Sequence, residues 1–427
     1  MAGDRRARKD TNYTNLPEFV SIRVIRVFSL FAVILLSNHC PAQPFLDNLQ
    51  DNLKLQTKDG FIRSDLTVLL DLEGYYVDQR PPGLLYEDES FINYRASFFI
   101  DAHIGPHFYS LIQARVDRGF DPGSQDLDAR LDEYLLRWTP TDDSRLNIQF
   151  GKFATAVGGW VQRHDSWQNP LITAPLPYEN PTIVSYDDVP TSPADFLYRR
   201  SYPDDKDSWI PVIWGPVYAT GGSIFGSIGK MDYAFEVKNA AISSHPDAWD
   251  VDQNYWRYPT FSARIGFRPS PAWNHGLSFS DGAYMTHDAA AQLPAGKNIG
   301  DYRQLTLDYD VSYAFRKWEL WAELFLNRFQ VPNVGDADLG AYYIEAKYKI
   351  TAGLYAAARW NQEIFGTVHD GSGGWEAWDH DMFRADAALG YRFTRHLQTK
   401  LQYSFGHRNG SLQQGEQLVA AQVTAKF

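Results

Sequence analysis

The feature that most constrains the fold is an alternation of apolar and polar residues, which is clearest at the end of the chain. Val419, Ala421, Val423, Ala425 and Phe427 occupy every second position, and mainly polar residues lie between them. Successive side chains of a β-strand point to opposite faces, so this spacing predicts a strand with one apolar face. The last residue of that predicted strand is aromatic.

The same two-residue period recurs along the chain. A clear example runs from Leu305 through Leu307 to Phe315 and is interleaved with polar residues such as Asp308. The segment that contains Glu133 changes phase, which predicts a β-bulge. Sixteen such segments begin near Leu66, Phe91, Phe108, Leu127, Arg145, Val217, Asp232, Phe261, Leu277, Leu305, Trp318, Tyr342, Leu354, Met382, Leu397 and Val419. The fold class is therefore predicted to be all-β.

The links between the segments alternate in length, which restricts the topology. Odd-to-even links are mostly long, and the longest spans residues 156–215. Even-to-odd links are short, as around Gly105 and Thr394. Membrane β-barrels gather tight turns at one end and long loops at the other, and closure removes unpaired strand edges from hydrocarbon. We therefore predict a transmembrane antiparallel β-barrel of about 16 strands over residues 65–427.

Composition is consistent with a barrel. Aromatic residues make up 15% of the chain, yet the mean hydropathy is only −0.39. A barrel strand shows only half of its residues to lipid, so its average hydropathy stays low. Trp138, Phe315, Trp318, Phe393 and Phe427 fall at the predicted short-turn ends of strands. This placement predicts an aromatic girdle at a membrane–water interface.

The first 42 residues have the features of a signal peptide. Basic residues precede an apolar run over 27–36, and Cys40 and Ala42 fit the small-x-small cleavage rule. Cleavage after Ala42 would leave residues 43–64 as a periplasmic N-terminal segment. Lipidation of Cys40 is the disfavoured alternative, because the bulky His39 precedes it. Loss of this only cysteine would exclude disulfides, zinc–cysteine sites and CxxCH haem attachment.

Charge and motifs argue against several function classes. Without its first 42 residues the chain carries 34 basic and 49 acidic residues, which argues against nucleic-acid binding. His164, Asp165 and Ser166 are adjacent, and adjacent residues do not converge on one reacting atom as a catalytic triad must. Asp250 and Asp252 resemble the start of a calcium loop that lacks its glycine and closing glutamate. We expect no enzyme, no metal and no cofactor.

Sixteen strands, a signal peptide, a terminal phenylalanine and an outsized loop after strand five resemble the bacterial outer-membrane porin superfamily. The stretch from Phe150 to Phe153, which leads into Gly158 and Gly159, is similar to a segment of phosphate-selective porin relatives. In porins the loop after strand five folds into the barrel, so the resemblance implies that residues 156–215 constrict a pore. It also implies a bacterial outer-membrane location and an assembly signal in the alternating residues of 419–427.

Charged residues of the loop and of the inward strand faces are the predicted pore lining, because a few charges in a narrow passage set ion preference. From the loop they are Arg163, His164, Asp165, Asp187, Asp188, Arg199 and Arg200. From the strands they are Arg95, Arg115, Arg130 and Arg145. The inward faces also hold carboxylates, which predicts a water-filled field of mixed sign and not the basic ladder of a phosphate channel. Residues 204–207 are expected to solvate a loop tip, and the loop's aromatic residues to pack it against the wall.

The function predicted from these features is passive diffusion of small hydrophilic solutes or ions through an outer-membrane porin. The alternatives are a channel selective for sugars or anions, a barrel-type outer-membrane enzyme, and the sheath of a porin–cytochrome complex. The expected partners are outer-membrane lipid, lipopolysaccharide, the barrel assembly machinery and the solutes. The small outward residues Ala421 and Ala425, which adjoin the first strand, add the hypothesis of a homotrimer.

Overall fold

The computed structural model describes residues 43–78, 90–117, 127–201, 208–245, 255–410 and 415–427. The predicted signal peptide, the acidic run at 204–207 and the calcium-like motif at 250–254 lie outside the described residues. No helix in the described ranges is long and apolar enough to cross a membrane.

The described residues form nineteen strands, numbered in chain order. They are β1 (Lys54–Gln56), β2 (Ile62–Val77), β3 (Ser90–Ile104), β4 (Phe108–Asp117), β5 (Asp128–Trp138), β6 (Asn147–Phe153), β7 (Ala219–Ile228), β8 (Met231–Lys238), β9 (Thr260–Phe267), β10 (Trp273–Ala283), β11 (Arg303–Phe315), β12 (Trp318–Val331), β13 (Gly335–Lys349), β14 (Leu354–Phe365), β15 (Thr367–His369), β16 (Trp375–Ala377), β17 (Met382–Arg392), β18 (Leu397–Arg408) and β19 (Gly415–Lys426). Two α-helices are present in these ranges, α1 (Gln43–Asn52) and α2 (Pro193–Tyr198).

Sixteen of the strands, β2–β14 and β17–β19, form one closed antiparallel barrel in which β19 pairs with β2. These strands correspond one to one to the sixteen alternating segments, so the predicted fold class is confirmed. Val423 lies opposite Leu72, and Phe427 exchanges backbone hydrogen bonds with Val68. The predicted bulge is also present, because the register between β4 and β5 shifts beside Glu133. The short β1 pairs with β2, and β15 pairs with β16 as a separate hairpin.

The two ends of the barrel differ in their connections. One end, which we call the short-turn end, holds the tight turns such as those from β3 to β4 and from β17 to β18, together with β1. The other, the long-loop end, holds the longer connections. One link at the long-loop end is tight, because residues 332–334 alone join β12 to β13. Asn333 in this turn has a φ of 60°, a left-handed conformation that asparagine tolerates better than most residues.

The barrel exterior is mainly apolar, whereas the interior combines charged and polar wall residues with a buried hydrophobic cluster. Along β12, Leu324 and Leu326 point outward and are exposed. Glu323 and Phe325, which occupy the alternate positions, point inward and are buried. Such an exterior suits hydrocarbon as the surrounding medium. At the short-turn end Trp138 closes β5 and Trp318 opens β12, where an aromatic girdle is predicted.

Candidate functional site

The connection from β6 to β7, residues 154–218, contacts inward-facing side chains of the barrel wall through its described residues, and we call it the inner loop. It contains 3-10 turns at Val161–Arg163 and Leu176–Tyr178 and the short helix α2, whose Ser192 side chain accepts a hydrogen bond from the Asp195 N–H. Eight prolines between residues 156 and 215 remove backbone donors, which prevents the segment from continuing the sheet.

Aromatic residues of the inner loop pack it against the barrel wall, as the sequence predicts. Tyr178 is fully buried, lies 4.7 Å from the ring of Trp160 and meets the ring of Phe325 edge-on at 5.7 Å. Phe325 and Tyr343 point inward from β12 and β13 and are buried in the same cluster, which also contains Trp214. Burial of large aromatic side chains makes this contact a substantial source of stability.

Arg163 connects the inner loop to β12 and β13. Its Nη1 donates to Glu345 at 2.6 Å, its Nη2 donates to the Tyr343 hydroxyl at 3.2 Å, and its guanidinium lies 4.3 Å from the ring centre of Trp321. Burial disfavours the charged form of Arg163, but the attraction of Glu345 outweighs burial and raises the pKa above its ordinary value. Arg163 therefore remains a cation inside the barrel.

Glu323 on β12 binds the backbone of the inner loop. It accepts hydrogen bonds from the N–H groups of Gly159 and Trp160, the latter at 2.9 Å, and from the Tyr178 hydroxyl at 2.8 Å. A Cβ atom on Gly159 would lie 2.9 Å from a Glu323 oxygen, so a larger residue here would displace the carboxylate from its present position. This carboxylate is therefore satisfied only while the loop is in place.

Two buried arginines on β14 and β17 also bind the inner loop. Arg359 donates to the backbone carbonyls of Thr173 at 3.1 Å and Ala174 at 2.9 Å. Arg384 pairs with Glu179 of the loop. These contacts fix the middle of the loop across the lumen.

The predicted arginines on β3, β4 and β5 have partners on the wall itself. Arg95 pairs with Asp71 of β2 at 3.1 Å. Arg115 and Arg130 both pair with Asp132, at 2.8 and 2.9 Å. All three point inward and are paired with carboxylates, and Arg130 is buried.

His164 is a neutral bridge between two parts of the inner loop. Its Nδ1 is 2.6 Å from the Val161 carbonyl, and its Nε2 is 2.8 Å from the Tyr218 hydroxyl. Burial, followed by the repulsion of Arg115, lowers the pKa of His164 below its usual 6.5. The ring is accordingly uncharged at pH 7.

Four predicted loop residues lie towards the long-loop end. Arg199 pairs with Asp188 at 2.7 Å, and Arg200 pairs with Glu376 of the β15–β16 hairpin at 2.6 Å. Asp187 accepts a hydrogen bond from a nearby serine hydroxyl within the loop. These contacts stabilise the part of the inner loop that lies nearest the long-loop end.

Two other predicted residues have local roles. Asp165 accepts hydrogen bonds from the N–H groups of Trp167 and Gln168, both at 2.8 Å, and so stabilises a turn. Arg145 does not lie on the inner wall. It precedes β6 in an exposed turn and pairs with Asp143, because the strand begins two residues later than the alternation indicated.

A cavity of about 490 Å³ lies between the inner loop and the wall near the short-turn end. It is bordered by Arg163 and Trp167 of the loop and by Trp321, Lys347 and Arg392 of the strands. The sequence did not single out the last three residues as a group, because they lie on three different strands. The available signal was that each occupies an inward-facing position of the alternation near the end of its strand.

Solved structures of other proteins share the fold of this chain. No protein-family model matches the chain, and no curated protein matches it. Among solved structures, the anion-selective porin from Comamonas acidovorans superposes with a TM-score of 0.55 at 9% identity, covering 86% of this chain and 100% of that one. Salmonella typhi OmpF in complex with daunomycin gives 0.54 at 11% identity, covering 87% and 100%.

A third similar structure is the outer membrane channel DcaP of Acinetobacter baumannii, with a TM-score of 0.54, 11% identity and coverage of 87% and 99%. At such identities the likeness establishes the fold, which is that of bacterial outer-membrane porins. Together with the apolar exterior of the closed barrel, this fold places the protein in the bacterial outer membrane.

Proposed function

We propose that the protein is an outer-membrane channel for small hydrophilic solutes or ions, with the inner loop as its constriction. The observation that carries the proposal is the inner loop itself, which lies inside a closed 16-strand barrel and is held there by Arg163, Glu323 and Arg384. Rigid charged groups in a narrow passage select solutes by size and charge. The short-turn end faces the periplasm in this proposal.

A substrate-selective channel is the second candidate, and the burial of the wall charges favours it over a wide diffusion pore. Glu345, Arg359 and Arg384 are each at most 2% exposed because the loop covers them. A solute must then pass through a passage whose polar groups are already mutually satisfied. Sugars and anions remain the classes to test.

The remaining elements of the proposal concern export and assembly. Residues 1–42 direct export, and the alternation from Val419 to Phe427 is read by the barrel assembly machinery in a membrane of lipid and lipopolysaccharide. Ala421 and Ala425 on the outer face of β19 form the proposed contact of a homotrimer. A monomeric mass in mild detergent would contradict that contact.

Single-channel recording in planar bilayers tests the proposed function. The purified full chain should give discrete, ohmic current steps in potassium chloride. Bilayers that remain silent while the same preparation hydrolyses peptide or lipid would favour the competing class, an outer-membrane enzyme.

Ion selectivity tests the assignment of the constriction. Arg199→Glu should shift the reversal potential in a salt gradient towards cation preference, because the side chain lies at the mouth of the loop. Arg145→Glu makes the same charge change in an exposed turn and serves as the matched control. Equal reversal potentials in the two variants would remove Arg199 from the pathway.

A further inference from the structure

The cavity near the short-turn end contains cationic groups that have hydrogen-bonding capacity to spare. Arg392 has no carboxylate within ion-pair distance among the described residues. Its Nη2 reaches only the Trp167 carbonyl at 3.4 Å and the Gln398 side-chain oxygen at 3.3 Å. Both contacts are long for hydrogen bonds, so the guanidinium keeps donors for a ligand.

Arg163 also borders the cavity and contributes positive charge to its wall. Two nitrogens of its guanidinium are bound to Glu345 and Tyr343, and the third, Nε, is buried without a partner in the part of the chain that the structure describes. The side chain therefore adds charge to the cavity, and Arg392 supplies the accessible donors.

The carboxylates around the cavity are already engaged. Asp310 pairs with Arg264, and Glu323 accepts three hydrogen bonds from the inner loop. Glu319 is 3.2 Å from Lys347. Each of these carboxylates has a cationic or hydrogen-bond partner, whereas Arg392 has no carboxylate partner among the described residues, which favours a ligand with negative charge over a cation.

Two indole rings complete the cavity. The Arg392 guanidinium lies 4.5 Å from the ring centre of Trp167, and Trp321 stacks under Arg163. A volume of 490 Å³ is within the range of roughly 300–1,000 Å³ that small-molecule sites occupy. Guanidinium groups recognise planar carboxylates with paired donors, and indoles provide flat apolar contact for a ring.

We propose that this cavity binds a small aromatic carboxylate, with Arg392 as its donor, the positive charge of Arg163 beside it and Trp167 as its apolar contact. The site lies on the short-turn side of the inner loop, so the ligand enters from that side. Ligand binding does not require the protein to conduct. The proposed channel function is needed only to interpret a block of the current by the ligand.

Equilibrium binding of radiolabelled benzoate to the detergent-purified full chain tests the site, with benzamide and benzylammonium as competitors. Benzoate should bind saturably, and neither the neutral nor the cationic analogue should displace it at equal concentration. Arg392→Gln should weaken binding roughly tenfold, the loss expected for one charge-assisted hydrogen bond. Arg316→Gln, which neutralises another arginine in a turn at the same end outside the cavity, should bind like the unmodified chain.

A second variant distinguishes loss of the binding site from misfolding of the barrel. Trp167→Ala should also weaken benzoate binding while the barrel keeps its heat-modifiable mobility on gels. No binding, equal binding of benzylammonium, or identical affinities in Arg392→Gln and Arg316→Gln would overturn the inference.

Bilayer recordings separate the two proposals. In a conducting channel benzoate should block from the short-turn side at lower concentration than from the other side. Conduction without benzoate binding or block would reject the cavity inference and leave the channel intact. Benzoate binding to a chain that never conducts would reject the channel and leave the cavity site.

Discussion

The two sides of the barrel's inner wall neutralise their charges in different ways. On β2–β5 the charged groups pair with one another, as Arg130 does with Asp117 and Asp132. On β12–β18 they also bind the inner loop, as Arg359 does through two loop carbonyls. Most charged groups of the first side therefore have charged partners on the wall itself, whereas several of those on the second side have partners on the loop.

This difference shows how one side of a barrel wall can bind a long loop through buried charges while the other side pairs most of its charges within the wall. Buried charge without a partner is costly, so the second side holds the loop strongly. The first side contacts the loop through hydrogen bonds, from the Ala154 N–H to Glu133 at 2.9 Å and from Arg115 to the Tyr218 hydroxyl at 3.5 Å.

The largest effect should come from removing a buried arginine on either side. Arg359→Leu and Arg130→Leu each remove one cation from a buried network of ion pairs and should each lower the free energy of unfolding by about 3–5 kcal/mol. Both residues are 2% exposed, so the pair is matched in burial. Urea unfolding in detergent micelles measures the loss.

Arg328→Leu is the control for that measurement. Arg328 is paired with Asp336 and Asp338 but is exposed at the barrel exterior, and its loss should cost less than about 1 kcal/mol. A similar loss in all three variants would mean that burial does not govern these ion pairs.

The two buried variants should then differ in conduction, which is the sharpest test of the comparison. Arg359→Leu frees carbonyls of the inner loop and should raise single-channel conductance or its noise severalfold. Arg130→Leu leaves the loop contacts in place and should conduct like the unmodified chain. Planar bilayer recordings give both values, and the same conductance in both variants would erase the distinction between the two sides.

A smaller effect is expected where the loop backbone meets β12. Gly159→Ala would place a methyl group against Glu323 and should destabilise the protein by about 1–3 kcal/mol, as overpacking usually does. Gly340→Ala is the matched control, because the nearest atom to its added Cβ is 4.0 Å away. The measurement is the midpoint of urea unfolding, and equal midpoints would show that the loop relaxes freely at Gly159.

The smallest effect should be a pH dependence carried by His164. Its pKa is lowered in the folded protein, so below the usual 6.5 the unfolded chain binds a proton that the folded chain does not. Stability should therefore fall as the pH drops from 7 towards 5. His164→Gln should reduce this fall relative to the unmodified chain when both are unfolded in urea at each pH. An unchanged pH profile in the variant would assign the effect to other groups.

The strands could be predicted because each one carries its own alternation, whereas the contacts of the inner loop could not. Arg384 and Glu179 are 205 positions apart, and no local pattern relates them. Parity placed Glu323 and Glu345 on the inner face but could not show that the loop would cover them. The alternation wrongly predicted an inward-facing position for Arg145, because the alternating pattern begins before the strand does. Helix α1 was missed because it is short and has no period-two pattern.

The pairing of β19 with β2 has a consequence for how the protein folds. Gln422 and Glu73, which hydrogen-bond across this seam, are 349 positions apart. Contacts between such distant segments form slowly, because the entropy of the intervening chain is lost before the contact is gained. The cylinder is therefore expected to remain an open, curled sheet through most of its maturation, with two reactive edges that need a chaperone or a membrane catalyst until the seam joins.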